Sequence, residues 1–164
     1  MAKQNGKTSA SYAQASDFTL TDTQGRTVRL ADYRGHRHVI LVFARGFGCP
    51  YCRRHLTDLR QDYPEFAARG AEVLVVGPDH PAAFRNWWEE LQLPFVGLAD
   101  PQHIVANAYG QEVSLLRLGR LPALVVIDKA GQIRFEHKGE YMSDLPAHSE
   151  ILDLLDALNR EENP

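Results

Sequence analysis

The chain has 164 residues, 44% of them hydrophobic and 24% charged, with a formal net charge of −3 at neutral pH. That length suits one domain burying about 70% of its unfolded surface, and the composition excludes a disordered or fibrous chain. The weak negative charge gives no electrostatic basis for binding nucleic acid or an anionic membrane, and no apolar run approaches a membrane span.

Residues 1–15 are polar, lack periodicity and read as a flexible tail, leaving a single domain over 16–164. The start has no apolar core, so no secretory leader is expected and the expected compartment is a reducing cytoplasm. Segments 18–21 and 27–30 flank the turn signal Asp22-Thr23-Gln24-Gly25 and predict a hairpin. Residues 38–44 contain the run Val39-Ile40-Leu41-Val42-Phe43, apolar on both faces as in a parallel sheet. A helix from Cys49 carries Leu56, Leu59 and Tyr63 at helical spacing. Pro64 is expected to kink or break it, and Gly70 to end the helical region.

A second buried strand falls at 73–76, followed by a helix from Pro81 with Phe84, Trp87, Trp88 and Leu91 along one stripe. A short strand at 95–98 leads to Asp100-Pro101, which opens a helical turn through Ala108. After a loop, Leu121-Pro122 precedes a strand at 123–128, and the turn 129–132 returns it into 133–137, an antiparallel hairpin. Asp144 is expected to cap a last helix carrying Ile151, Leu152, Leu154, Leu155 and Leu158. The order predicts an α/β domain with a mixed sheet.

The only two cysteines stand in Arg45-Gly46-Phe47-Gly48-Cys49-Pro50-Tyr51-Cys52-Arg53-Arg54, between a strand and a helix. At i and i+3 on a helix two side chains share a face, about 5–6 Å apart. A disulfide needs Cα atoms about 4.4–6.8 Å apart, so this pair can open and close without unfolding. Pro50 suits the first helical position. The helix N-terminus, with Arg45, Arg53, Arg54 and His55 nearby, would lower a thiol pKa. This is the layout of a redox-active dithiol, with Cys49 as nucleophile and Cys52 as the resolving thiol.

Three other readings stand beside it. A structural disulfide would enclose only Pro50 and Tyr51 and restrict the unfolded chain little. A zinc site could draw on Cys49, Cys52, His55 and one of His36, His38 or His137, without the ligand spacing such sites show. Two buried thiols could also pack as small hydrophobes. His36, His38 and His55 are not spaced as a catalytic set, and Trp87 and Trp88 read as packing. No Gly-rich phosphate loop is visible, so no nucleotide or flavin is implied; with no spaced four-ligand set either, no metal or other cofactor is expected.

With CxxC at the end of the first central strand and Pro122 ahead of a later one, the order resembles the thioredoxin fold. That implies a central mixed β-sheet with helices on both faces, here with an N-terminal β-hairpin. Within it the chain is similar to the peroxiredoxin-like branch of the alkyl hydroperoxide reductase/thiol-specific antioxidant (AhpC/TSA) family, over residues 17–158. The matching motifs are Asp17-Phe18-Thr19-Leu20, Cys49-Pro50-Tyr51-Cys52, Val75-Val76-Gly77-Pro78-Asp79, Leu98-Ala99-Asp100-Pro101, Ala108-Tyr109-Gly110 and Leu121-Pro122-Ala123. The resemblance implies a thiol-dependent antioxidant enzyme acting on a peroxide or a disulfide. Its Cys49–Cys52 disulfide would be reopened by an external thiol reductant of the thioredoxin or glutathione type.

The departures are specific. Peroxiredoxins carry Thr or Ser three residues before the reactive Cys, Pro seven before it, and an Arg ahead of the later strand; here those positions are Gly46, Val42 and Pro122. Arg45 is the candidate replacement for that cation, against the alternative of a solvated loop arginine. Thioredoxins keep an acidic residue six before the first Cys; here it is Phe43, so a proton acceptor for the second thiol is missing or comes from elsewhere. Pro122 is expected to be a cis-proline facing the CxxC and holding substrate, against an ordinary trans-proline opening a strand. Gly46 and Pro122 tilt the expectation toward disulfide exchange over peroxide reduction. A metal-binding or scaffold domain that keeps only the fold is the third reading.

Overall fold

The fold, taken from a computed structural model, is described for residues 12–46, 48–111, 113, 114 and 119–163. Most of the expected tail, and Phe47 of the cysteine loop, lie outside the described residues. Residues 12–15 are not tail: Ala15 is buried and donates its N–H to Gly131, and Ile133 donates to the Ala13 carbonyl. The Arg134 guanidinium lies over the Tyr12 ring.

The hairpin forms as expected, β1 (Thr19–Thr21) against β2 (Thr27–Arg29), with the Asp22 carboxylate accepting the N–H groups of Gln24 and Arg26. It is a separate two-stranded sheet. The central strand β3 (His38–Phe43) is buried at every position, as its unbroken apolar run requires. After it come α1 (Pro50–Ala68), β4 (Ala71–Gly77), α2 (Pro81–Leu91), β5 (Val96–Ala99) and α3 (Ile104–Ala108). The short strands β6 (Val113–Ser114) and β7 (Gly119–Arg120) follow, then β8 (Ala123–Ile127), β9 (Ile133–Lys138) and α4 (His148–Glu162). The main sheet runs β5-β4-β3-β8-β9. β3, β4 and β5 pair in parallel, whereas β8 is antiparallel to both β3 and β9.

The period of two along the strands divides the core. Ile40, Val42, Val73, Val75, Leu124 and Val126 meet α1, α2 and α4 on one face. Val39, Leu41, Phe43, Leu74, Val76 and Val125 meet α3 and the hairpin on the other. This is a mixed α/β sandwich of the thioredoxin type. No helix among the described residues is long and apolar enough to cross a membrane.

Three expectations are corrected. Pro64 does not break α1, which runs through it to Ala68. A proline there deletes one helical hydrogen bond, and burial of Leu56, Leu59 and Phe66 on both sides of it keeps the helix whole. Asp144 does not cap α4; its carboxylate accepts the Glu140 N–H at 2.8 Å and pairs with His137 at 3.1 Å. Pro146 pushes Leu145 toward extended backbone, so α4 starts only at His148. The segment read as a loop before Leu121 contains β6 and β7, too short to leave a periodic signal.

Candidate active site

β3 delivers the chain to the cysteine loop, and α1 receives it. Gly46 has φ of +145°, a conformation that L side chains rarely adopt. The residue three before Cys49 is therefore glycine for a backbone reason, and a Thr or Ser there would be strained. The Cys49 N–H bonds the Gly46 carbonyl at 3.3 Å, closing the turn. Cys49 is the residue capping α1, and Pro50 is its first helical residue.

Both cysteines are free thiols, Cys52 buried and Cys49 partly exposed. Burial pushes the Cys49 thiol up, but the N–H groups of Cys52 and Tyr51, the Cys52 thiol and the Arg45 guanidinium outweigh it. The result lies below the ordinary 9.0. Those two N–H groups face the sulfur from the positions that serve an N-cap side chain, without closing to a full cap bond. Arg45 Nη1 donates toward Cys49 Sγ across 3.9 Å. Cys52 goes the other way: burial first, then the neighbouring Cys49 charge, push it up to about 11 against the N–H groups of Arg45 and Gly46. The two neighbouring thiols are displaced in opposite directions, Cys49 down and Cys52 up.

Of the four cations expected around Cys49, the structure brings Arg45 to the sulfur. Arg53 turns away to Glu90 at 2.9 Å and lies 4.2 Å over the Trp87 ring. Arg54 and His55 line a cavity on the Cys52 side. That cavity measures about 540 Å³, and Tyr51, Cys52, Pro122 and Met142 are in its wall. A second hollow of about 370 Å³ is bounded by Arg45, Gly46, Gly48, Cys49, Pro50, Tyr51 and Met142. Tyr51 and Met142 thus stand between the two thiols' surroundings.

Pro122 is near the dithiol as expected, sharing the cavity wall with Cys52, but its isomer is corrected. There is no cis peptide bond among the described residues, so Leu121–Pro122 is trans. The following strand keeps its pairing with β3 through Ala123 and Phe43, and the Gly139 N–H bonds the Pro122 carbonyl at 2.8 Å. A Cβ on Gly139 would lie 2.8 Å from that carbonyl oxygen, so only glycine permits this approach. The thioredoxin-type argument for disulfide exchange from a cis-proline falls away.

Residues that sequence reasoning missed complete the frame. The buried Gln111 amide donates to the Leu121 carbonyl at 2.8 Å and the Ala44 carbonyl at 3.4 Å. It thereby ties the backbone ahead of Arg45 to that ahead of Pro122. A single Gln in a loop carries no motif, so nothing in the sequence announced it. The histidines grouped as possible zinc ligands disperse: His38 bonds Asn159, His137 bonds Asp144, and His55 meets His148. Among the described residues no three His, Cys, Asp or Glu side chains gather as a metal site.

The AhpC/TSA family model matches residues 12–136, well over half of the chain, and the chain belongs to that family. It is 36% identical over 121 residues to the thiol-disulfide oxidoreductase ResA of Geobacillus thermodenitrificans, across 73% of this chain and 64% of that one. It is 33% identical over 125 residues to a putative peroxiredoxin of Mycobacterium tuberculosis, across 73% of this chain and 79% of that one. The match to ResA therefore spans less than two thirds of that relative's length. Among solved structures, peroxidoxin BcpB from Mycobacterium tuberculosis superposes with a TM-score of 0.77 at 25% identity, covering 89% of this chain and 96% of its own.

Proposed function

We propose that the protein is a thiol-dependent oxidoreductase that reduces hydroperoxides through a Cys49–Cys52 cycle. The observation that carries this reading is the opposite displacement of two adjacent thiols, with Arg45 beside the lowered one. Cys49 thiolate attacks the peroxide O–O bond, becomes sulfenic acid, and releases an alcohol or water once the leaving oxygen takes a proton. Arg45 stabilises the negative charge that moves onto that oxygen. Cys52 then displaces hydroxide from the Cys49 sulfur to form the disulfide. An external dithiol of the thioredoxin or glutathione type reopens it and is itself oxidised. A reducing cytoplasm, as proposed from the sequence, would supply that thiol.

Disulfide exchange is the second reading, supported by the absence of a hydroxyl at Gly46 and by the relationship to ResA. Stopped-flow oxidation of the reduced protein, followed by tryptophan fluorescence, separates the two. Oxidation by hydrogen peroxide or an organic hydroperoxide is expected to be at least about 100-fold faster than that of free cysteine. Cys49→Ser should abolish it, and Arg45→Ala should slow it roughly 10–100-fold. Peroxide oxidation no faster than a free thiol's, beside rapid reaction with a model disulfide, would establish the second reading instead.

A further inference from the structure

Closing the Cys49–Cys52 disulfide requires Cys52 to lose its proton. Burial holds the Cys52 thiol well above its ordinary pKa, so it is protonated at pH 7. The position six before Cys49 is the buried Phe43, which accepts no proton. The cavity beside Cys52 holds other candidates. His55 is one turn along α1 from Cys52, Asp62 is two turns further, and His148 is the first residue of α4; all line the same cavity.

These three side chains form a chain of contacts. His148 Nδ1 lies 2.6 Å from Asp62 Oδ2, and His148 Nε2 lies 3.5 Å from His55 Nε2. The His148 ring is held edge-on by Phe66 and tilted against His55, each at 5.6 Å between centroids. With Asp62 ionised, neutral His148 donates Nδ1–H to it and offers Nε2 as an acceptor. His55 then donates Nε2–H, which leaves its Nδ1 as the open proton acceptor.

We infer that His55, His148 and Asp62 form a relay that takes the Cys52 thiol proton, through water in the shared cavity, when the disulfide closes. The inference rests on the proposed role of Cys52 as the resolving thiol. The Cys52 proton reaches His55 Nδ1, the His55 Nε2 proton passes to His148 Nε2, and the imidazolium rests against Asp62. Cys52 thiolate attacks the Cys49 sulfur; the S–S bond forms as the S–O bond of the sulfenic acid breaks. The hydroxide leaving Cys49 takes a proton from water and the His148 imidazolium returns its proton to the cavity solvent, so the step releases one water and needs no outside electrons. Burial, and then His148, push His55 down to about 3, so it conducts the proton without retaining the charge. Arg54 and Asp58 from α1 face the same cavity and oppose one another in sign. Outside the cavity lining, Glu150 lies in the first turn of α4 and the His137–Asp144 pair precedes that helix.

A chromogenic aryl disulfide, 5,5′-dithiobis(2-nitrobenzoate), tests this without depending on peroxide chemistry. Reduced protein releases one thiolate when Cys49 attacks and a second when Cys52 displaces the aryl thiol from the mixed disulfide. In His148→Gln and His55→Gln the second release should slow at least about 10-fold at pH 7, with the gap closing by pH 10 as hydroxide ionises Cys52 directly. Asp62→Asn, whose side chain is 45% exposed, should show the same pH-dependent defect and serves if a histidine variant does not fold. An unchanged second phase, or a slowing equal at every pH, would overturn the relay. Loss of the first phase in Cys52→Ser, with its retention in Cys49→Ser, would instead overturn the proposed cysteine roles.

Discussion

At Cys49 a single residue's placement sets its chemistry. The sulfur is lowered by two peptide N–H groups, a neighbouring thiol and one guanidinium, and all but the guanidinium follow from its place at the start of α1. Mapped iodoacetamide labelling across pH should show Cys49 reacting with an inflection below 9.0 and Cys52 staying inert until about 11. Arg45→Ala should move the Cys49 inflection upward and reduce its labelling rate at pH 7. Gly46 makes the complementary point. Gly46→Thr adds a side chain at a φ of +145° and should destabilise the fold by about 1–3 kcal/mol, measured by urea denaturation.

Among the elements, α3 depends on one side chain. The buried Asp100 carboxylate accepts the N–H groups of Ile104, Val105 and Ala106, each at 3.0 Å, and so satisfies the helix start. Asp100→Ala leaves the buried Val105 and Ala106 donors unpaired and should cost about 2–4 kcal/mol in thermal or urea unfolding. α1 gives the opposite expectation: Pro64→Ala adds a hydrogen bond within a helix already held on both sides by buried residues. It should stabilise by about 1–3 kcal/mol on the same assay. The helix from Cys49 was legible in the spacing of Leu56 and Leu59, and Pro50 marked its first residue. Its passage through Pro64 was not, because local sequence carries the cost of a proline but not the burial that offsets it.

Across the whole molecule, α1 and α4 meet at the histidine pair, which makes stability depend on pH. The folded-state pKa of His55 is near 3, below its ordinary 6.5. Between those values the unfolded chain binds a proton that the folded chain refuses, so stability is lost as pH falls from 6.5 toward 3 and is intact above 6.5. Urea unfolding should show His55→Gln sparing on the order of 3 kcal/mol of the loss seen between pH 7 and pH 4. The amino-acid sequence by itself determined the mixed α/β order, the central buried strand, and the two cysteines with a proline at the helix start. These depend on local spacing and on apolar periodicity, which are written in consecutive residues. Only the tertiary structure decided that Arg45 and not Arg53 reaches Cys49, that Pro122 is trans, that Gln111 ties Ala44 to Leu121, and that His148 comes to Asp62 and His55. The Gln111 and His148 contacts, and the pull of Glu90 on Arg53, depend on separate segments being brought together by burial of the sheet, and no local pattern records which distant partner a side chain will meet.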